Sequence, residues 1–162
     1  MIAIFLAASI AQVGTFTVGE TKDEMTDALQ AGAFIENDQG RLSIFCNKED
    51  GKNVRVMIDP IERIEGPGTI FTTLLYLRFD DGKPEIETWN DDADFMFIRQ
   101  KKPVYKFASK LSKASRLRVR ISGVGKDIDL DFPIIQAREA LTYVSKKCDD
   151  PGLLRALQGS PG

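Results

Sequence analysis

Two Asp-Gly steps, each set between alternating runs, constrain this chain more than any other feature. The first joins RLSIFCN (41–47) to NVRVMI (53–58) through Glu49-Asp50-Gly51-Lys52. The second joins TIFTTLLYLRF (69–79) to PEIETW (84–89) through Asp80-Asp81-Gly82-Lys83. Asp-Gly tolerates the positive φ of tight turns, and alternation sets one strand face against a core. Two such hairpins predict an antiparallel sheet. Thr15–Val18, Leu29–Ile35, Phe95–Ile98, Arg116–Ile121 and Asp127–Phe132 add further strands.

The period changes at Lys102–Ala114. There Val104, Phe107, Ala108 and Leu111 share one helical face, with Lys106, Lys110 and Lys113 opposite. Pro133 opens a second helix carrying Ile134, Ile135, Ala137, Leu141 and Val144, which ends near Cys148. The chain of 162 residues suits one ordinary domain. The expected fold is α+β and mainly antiparallel, with two packed, sandwich-like sheets and two short helices. Residues 13–148 form the single β-rich domain. Residues 149–162, with Pro151, Gly152, Gly159 and Pro161, read as a flexible tail.

Residues 1–12 have two readings. Met1–Ala11 is apolar and ends in the small-x-small step Ser9-Ile10-Ala11, which suits a short export signal. It also suits a first strand. It is too short for a membrane-spanning helix, and no later run is long enough, so no stable membrane insertion is expected.

The chain contains no histidine. That excludes Ser-His-Asp and Cys-His catalysis and every histidine-containing metal site. Two cysteines, Cys46 and Cys148, cannot form a four-cysteine metal site. Their even count suits a disulfide, and two ordinary buried thiols are the alternative. No catalytic residue, metal site or cofactor is assigned.

The net charge of −2 conceals a separation. Residues 1–98 hold 18 acidic and 8 basic residues, whereas residues 99–162 hold 6 and 14. The sharpest candidate site is the basic stripe of Lys106, Lys110, Lys113, Arg116, Arg118 and Arg120, which suits an anionic ligand or a partner. The competing reading is a solvated face, or pairing with the acidic half. Asp91, Asp92 and Asp94, and Asp127, Asp129 and Asp131, are carboxylate clusters that a metal-dependent hydrolase would need to converge. Turn and strand roles are the favoured reading of both.

A longer pattern runs through the chain. Phe16 precedes Glu20, Thr21, Asp23, Met25, Thr26 and Asp27; RLSIFC and VRVMI follow, then LYLRFDDG and the strand of Trp89. A lysine-rich helix, RLRVRI, a strand ending in Phe132 and a helix ending in Cys148 complete it. This order resembles the VasI/TagO-type accessory proteins of bacterial type VI secretion and related small phage and proteobacterial proteins, over about residues 14–148. The resemblance implies an exported, periplasmic β-rich domain with paired cysteines and an accessory role without enzymatic activity. A protein partner is therefore the first expectation, engaged through a sheet edge or the basic face. An anionic-ligand or nucleic-acid binder is the alternative, the Asp-cluster hydrolase is the second, and a cytoplasmic location is the alternative to export.

Overall fold

A computed structural model describes residues 10–22, 28–49, 53–62, 72–92, 94–123 and 125–159. Among the described residues there are ten strands and three helices, with one helix between the eighth and ninth strands and the other two after the tenth. The strands are β1 (Ile10–Val13), β2 (Phe16–Lys22), β3 (Leu29–Glu36), β4 (Gly40–Asn47), β5 (Val54–Pro60), β6 (Thr72–Phe79), β7 (Glu85–Asp92), β8 (Phe95–Ile98), β9 (Arg116–Ile121) and β10 (Ile128–Pro133). The helices are α1 (Lys101–Leu111), α2 (Ala137–Lys147) and α3 (Pro151–Gln158).

The mainly antiparallel α+β class is as expected; the finer architecture is not. The strands form one continuous sheet in the order β1-β2-β3-β4-β5-β8-β7-β6-β9-β10, not two separate sheets. All its described pairings are antiparallel. Alternation announces that a strand buries one face, but it does not say which strands become neighbours. Here β5 pairs with β8, and β6 with β9, across long stretches of sequence.

One side of this sheet supplies the core. Phe16 and Val18, Leu42 and Ile44, Val56 and Ile58, Leu75 and Leu77, and Leu117 and Val119 alternate with outward residues and are almost fully buried. All join a single apolar cluster with α1, α2 and α3. The two ends of the sheet also meet. The Asn37 side chain donates to the Asp131 carbonyl at 2.8 Å, and Gln39 accepts from the Asp131 amide at 2.8 Å. The Thr15 amide and hydroxyl bond the backbone of Ile135, just beyond β10. A sheet with one apolar face therefore curls until its first hairpins touch its last strand. Gly14 makes the close approach possible: it has φ +60°, and a Cβ there would sit 2.1 Å from the Ile135 carbonyl oxygen.

The disulfide joins Cys46 of β4 to Cys148 at the C-terminus of α2, with the Cα atoms 5.9 Å apart. It ties α2 to the inner face of the sheet. Of the expected tail, Pro151–Gln158 is the helix α3, and residues 160–162 lie outside the described residues. Asp150 caps the Leu153 amide, Pro151 occupies the first turn, and Leu153 and Leu157 are buried. A polar cap, an N-terminal proline and two leucines four residues apart suffice for a short docked helix. Gly152 lies against the Tyr105 ring, where a Cβ would come within 2.5 Å of the phenol oxygen. β2 also runs on to Lys22, four residues past the strand expected over Thr15–Val18. Of the export-signal segment, residues 1–9 lie outside the described residues, and Ile10–Val13 is strand β1. The turn residues Asp50, Gly51 and Lys52 also lie outside them.

The disulfide spans 102 residues of sequence. Replacing both cysteines by serine is expected to cost about 4–5 kcal/mol in the chain-entropy account, as a lower urea midpoint. Leu157→Ala, which empties a buried site on α3, is expected to cost about 2–5 kcal/mol in the same assay. A tail without packing would show no loss.

Candidate functional site

The basic stripe does not form one surface. Arg116, Arg118 and Arg120 alternate with buried Leu117, Val119 and Ile121, so they stand on the outer face of the sheet. Lys106 and Lys110 belong to α1, whose Val104, Phe107 and Leu111 pack on the inner face. The sheet separates the two groups.

Both groups meet acidic residues from elsewhere in the sequence. On β7, Glu85 and Glu87 alternate with Ile86 and Thr88 and share the side of buried Trp89. Phe107 packs edge-on against Trp89 at 5.5 Å and Phe79 at 5.7 Å, which brings α1 alongside them. The Lys106 Nζ then lies 3.3 Å from Glu87 and 3.6 Å from Glu85, and Lys110 pairs with Glu85. A hydrogen bond from Lys110 chiefly holds the Glu85 carboxyl below its ordinary value. The Trp89 indole donates to the second oxygen of Glu87 at 3.0 Å.

On the outer face the β9–β10 register sets arginines beside aspartates. Arg120 forks onto Asp129 at 2.7 and 2.9 Å, and Arg116 forks onto Asp131, with Nε at 2.8 Å. These hydrogen bonds lower both carboxyls. Two of the three carboxylates in the second Asp cluster are thus arginine partners, and Asp127 is exposed in the preceding loop. Asp91 accepts from the Thr73 hydroxyl at 2.8 Å, while Asp92 is exposed and Asp94 lies in a turn. Asp80 accepts from the Ser115 hydroxyl and from the amides of Ser115 and Arg116, which fixes the entry to β9 and lowers its pKa. Among the described residues, no three acidic, cysteine or histidine side chains gather closely enough to hold a metal ion.

Lys113 is exposed in the turn after α1 and makes no ion pair among the described residues. Arg118 differs from its neighbours. It donates to the Asp80 carbonyl at 2.6 Å and reaches Asp81 at 3.3 Å, but the Asp81 side chain is 100% exposed. Its Nε is buried without a hydrogen-bond partner. Directly opposite on β6 stands Arg78, whose Nε donates to the Gly82 carbonyl at 2.9 Å. Among the described residues Arg78 has no ion pair. Both arginines line a groove of about 650 Å³ with Tyr76, Pro84, Arg120 and Asp129.

An uncharged surface continues from this groove. Tyr76 faces Ile86 across β6 and β7, and Leu74 faces Thr88. Ile86, Leu74 and Tyr76 are 62%, 46% and 37% exposed. Neither Arg78 nor this apolar group stands out in the sequence. Each residue sits at an ordinary outward position, and only the β6–β7 and β6–β9 pairings bring them together.

No family model matches the chain, nor does any curated protein or solved structure. The fold and site define a disulfide-bonded, mainly antiparallel domain with an outward groove of arginines beside an apolar strand face.

Behind the sheet, the Tyr105 hydroxyl donates to Asp150 at 2.7 Å. Burial first, and then that hydrogen bond, push its pKa up to about 12. The fold favours the neutral phenol. The resulting stability is complete below the ordinary value of 10 and is lost as pH rises towards 12. Phenolate absorbance should show a tyrosine titrating near pH 12. Tyr105→Phe should abolish that step, lower stability by about 1–3 kcal/mol at neutral pH through the lost hydrogen bond to the Asp150 carboxylate, which keeps the Leu153 amide, and flatten the alkaline decline.

Proposed function

We propose that this chain is a non-enzymatic accessory or binding domain that engages a protein partner through the outer face of β6 and β7. The observation that carries this reading is the adjacent exposure of Leu74, Tyr76 and Ile86 on paired strands. Contiguous apolar surface that a monomer leaves in water marks interaction sites. Isoleucine and tyrosine on a sheet held by pairing on both sides offer area with little ordering cost. The Cys46–Cys148 bond supports work in an oxidising compartment, since such bonds persist there and are rare in the cytosol. The motif order that resembles VasI/TagO-type proteins supports an envelope-associated or phage-encoded accessory role.

The basic stripe supports an anionic-ligand role less well. Five of its six cations are already paired with carboxylates of the same chain, Arg118 only with the fully exposed Asp81.

A photo-crosslinking residue placed at Ile86 is expected to give a discrete protein adduct in the source cells. Identified by mass spectrometry and purified, the adduct partner should bind the chain directly, and Leu74→Asp should abolish both signals. A crosslinker at Gln158 on α3 serves as the control. Equal adducts from both positions, or none from position 86, would remove this surface as the docking site.

A further inference from the structure

From the outer face of β6 and β9 we infer the chemistry of the partner: an extended segment carrying a carboxylate and, at two-residue intervals, apolar side chains. The inference rests on the docking surface proposed above and names what binds there.

Arg78 and Arg118 are direct partners across an antiparallel pair. Like charges so placed repel, with Cβ atoms about 5 Å apart. Elsewhere on this face the chain relieves such repulsion with its own carboxylates: Asp131 takes Arg116 and Asp129 takes Arg120. At this pair the relief is partial: Asp131, opposite Arg118 on β10, forks onto Arg116 instead, Arg118 meets only the fully exposed Asp81, and Arg78 has no ion pair among the described residues. Arg78 spends one donor on the Gly82 carbonyl. Arg118 spends its terminal nitrogen on the Asp80 carbonyl and the solvated Asp81, leaving its Nε buried and unpartnered. The two backbone carbonyls come from the same β6–β7 turn, so they position the guanidinium groups without cancelling their charge. Two positioned guanidinium groups in a groove whose Asp129 and Asp131 are already bonded to Arg120 and Arg116 form a receptor for a carboxylate, which accepts bidentate bonds from arginine.

The rest of the recognition pattern follows from strand geometry. Leu74, Tyr76 and Arg78 stand on the outer face at two-residue steps along β6, about 6.7 Å apart. An extended segment lying along β6 repeats at the same interval. Its carboxylate over Arg78 and Arg118 therefore sets apolar side chains two and four residues away over Tyr76 with Ile86 and over Leu74. The pattern is acidic-x-apolar-x-apolar. It favours a peptide over a polynucleotide, because only one anion receptor is offered and the adjoining surface is uncharged.

The test uses the full oxidised chain, nitrogen-15 labelled, and three probes: acetyl-Glu-Thr-Val-Thr-Leu-amide, its Gln-for-Glu counterpart, and inorganic phosphate. The acidic peptide is expected to shift the Nε–H resonances of Arg78 and Arg118, with affinity falling as sodium chloride rises. The R78Q/R118Q variant should weaken it about tenfold or more, and R78K/R118K, which keeps charge without the fork, by less. Thermal unfolding verifies that both variants fold. Equal binding of the Gln peptide, unchanged binding by R78Q/R118Q, or tighter binding of phosphate than of the acidic peptide overturns the inference. If the position-86 adduct forms while the acidic peptide fails, the partner chemistry falls and the docking surface stands. If the adduct fails, the docking surface itself falls.

Discussion

One-sided burial governs this molecule. From β2 to β10, alternate side chains enter a single apolar cluster, and the residues between them face outward. A ten-stranded sheet of that kind cannot stay flat in water, because its inner face needs cover. Three short helices cover part of it, and curling brings the ends of the sheet together for the rest. Trp89 and Phe107 show how closely the layers depend on each other. Their edge-to-face contact seats α1, and the seat of α1 decides where its lysines meet the carboxylates of β7.

That placement explains the charge separation along the chain. The acidic first part meets the basic second part where β7 faces α1, and within the second part the aspartates of β10 answer the arginines of β9. Each pair is exposed enough to contribute little singly. Their collective effect is to leave most of the basic stripe neutral in sum, so a net charge near zero reflects local pairing and not two opposed poles. Arg78 and Arg118 stand out against this background because Arg78 has no ion pair among the described residues and Arg118 has only the fully exposed Asp81, the Asp131 opposite it being bonded to Arg116.

Local features were well expressed in the sequence. Asp81-Gly82 between alternating runs marked the β6–β7 hairpin, the period change at Val104, Phe107 and Leu111 marked α1, and the cysteine count pointed towards Cys46–Cys148. Non-local features were not. Period-two alternation looks the same in a strand wherever it pairs, so neither the β5–β8 and β6–β9 pairings nor the single continuous sheet was visible. α3 was concealed by Pro151, Gly152 and Gly159, which read as breakers although proline in a first turn and glycine after a last turn also bound a helix. The candidate groove depended on the same hidden pairings. Arg118 was recognisable as an outward cation, but Arg78 gained meaning only as its neighbour.

The contact of Asn37 and Gln39 with Asp131 has a further consequence. Every open sheet has two margins at which another chain can add, and two free margins permit growth without end. Here the β10 margin is occupied at Asp131 by side chains from the β3–β4 turn, while β1 is the outermost strand on the other side among the described residues. The seam that completes the fold therefore also interrupts the β10 margin as a template on which another strand could add.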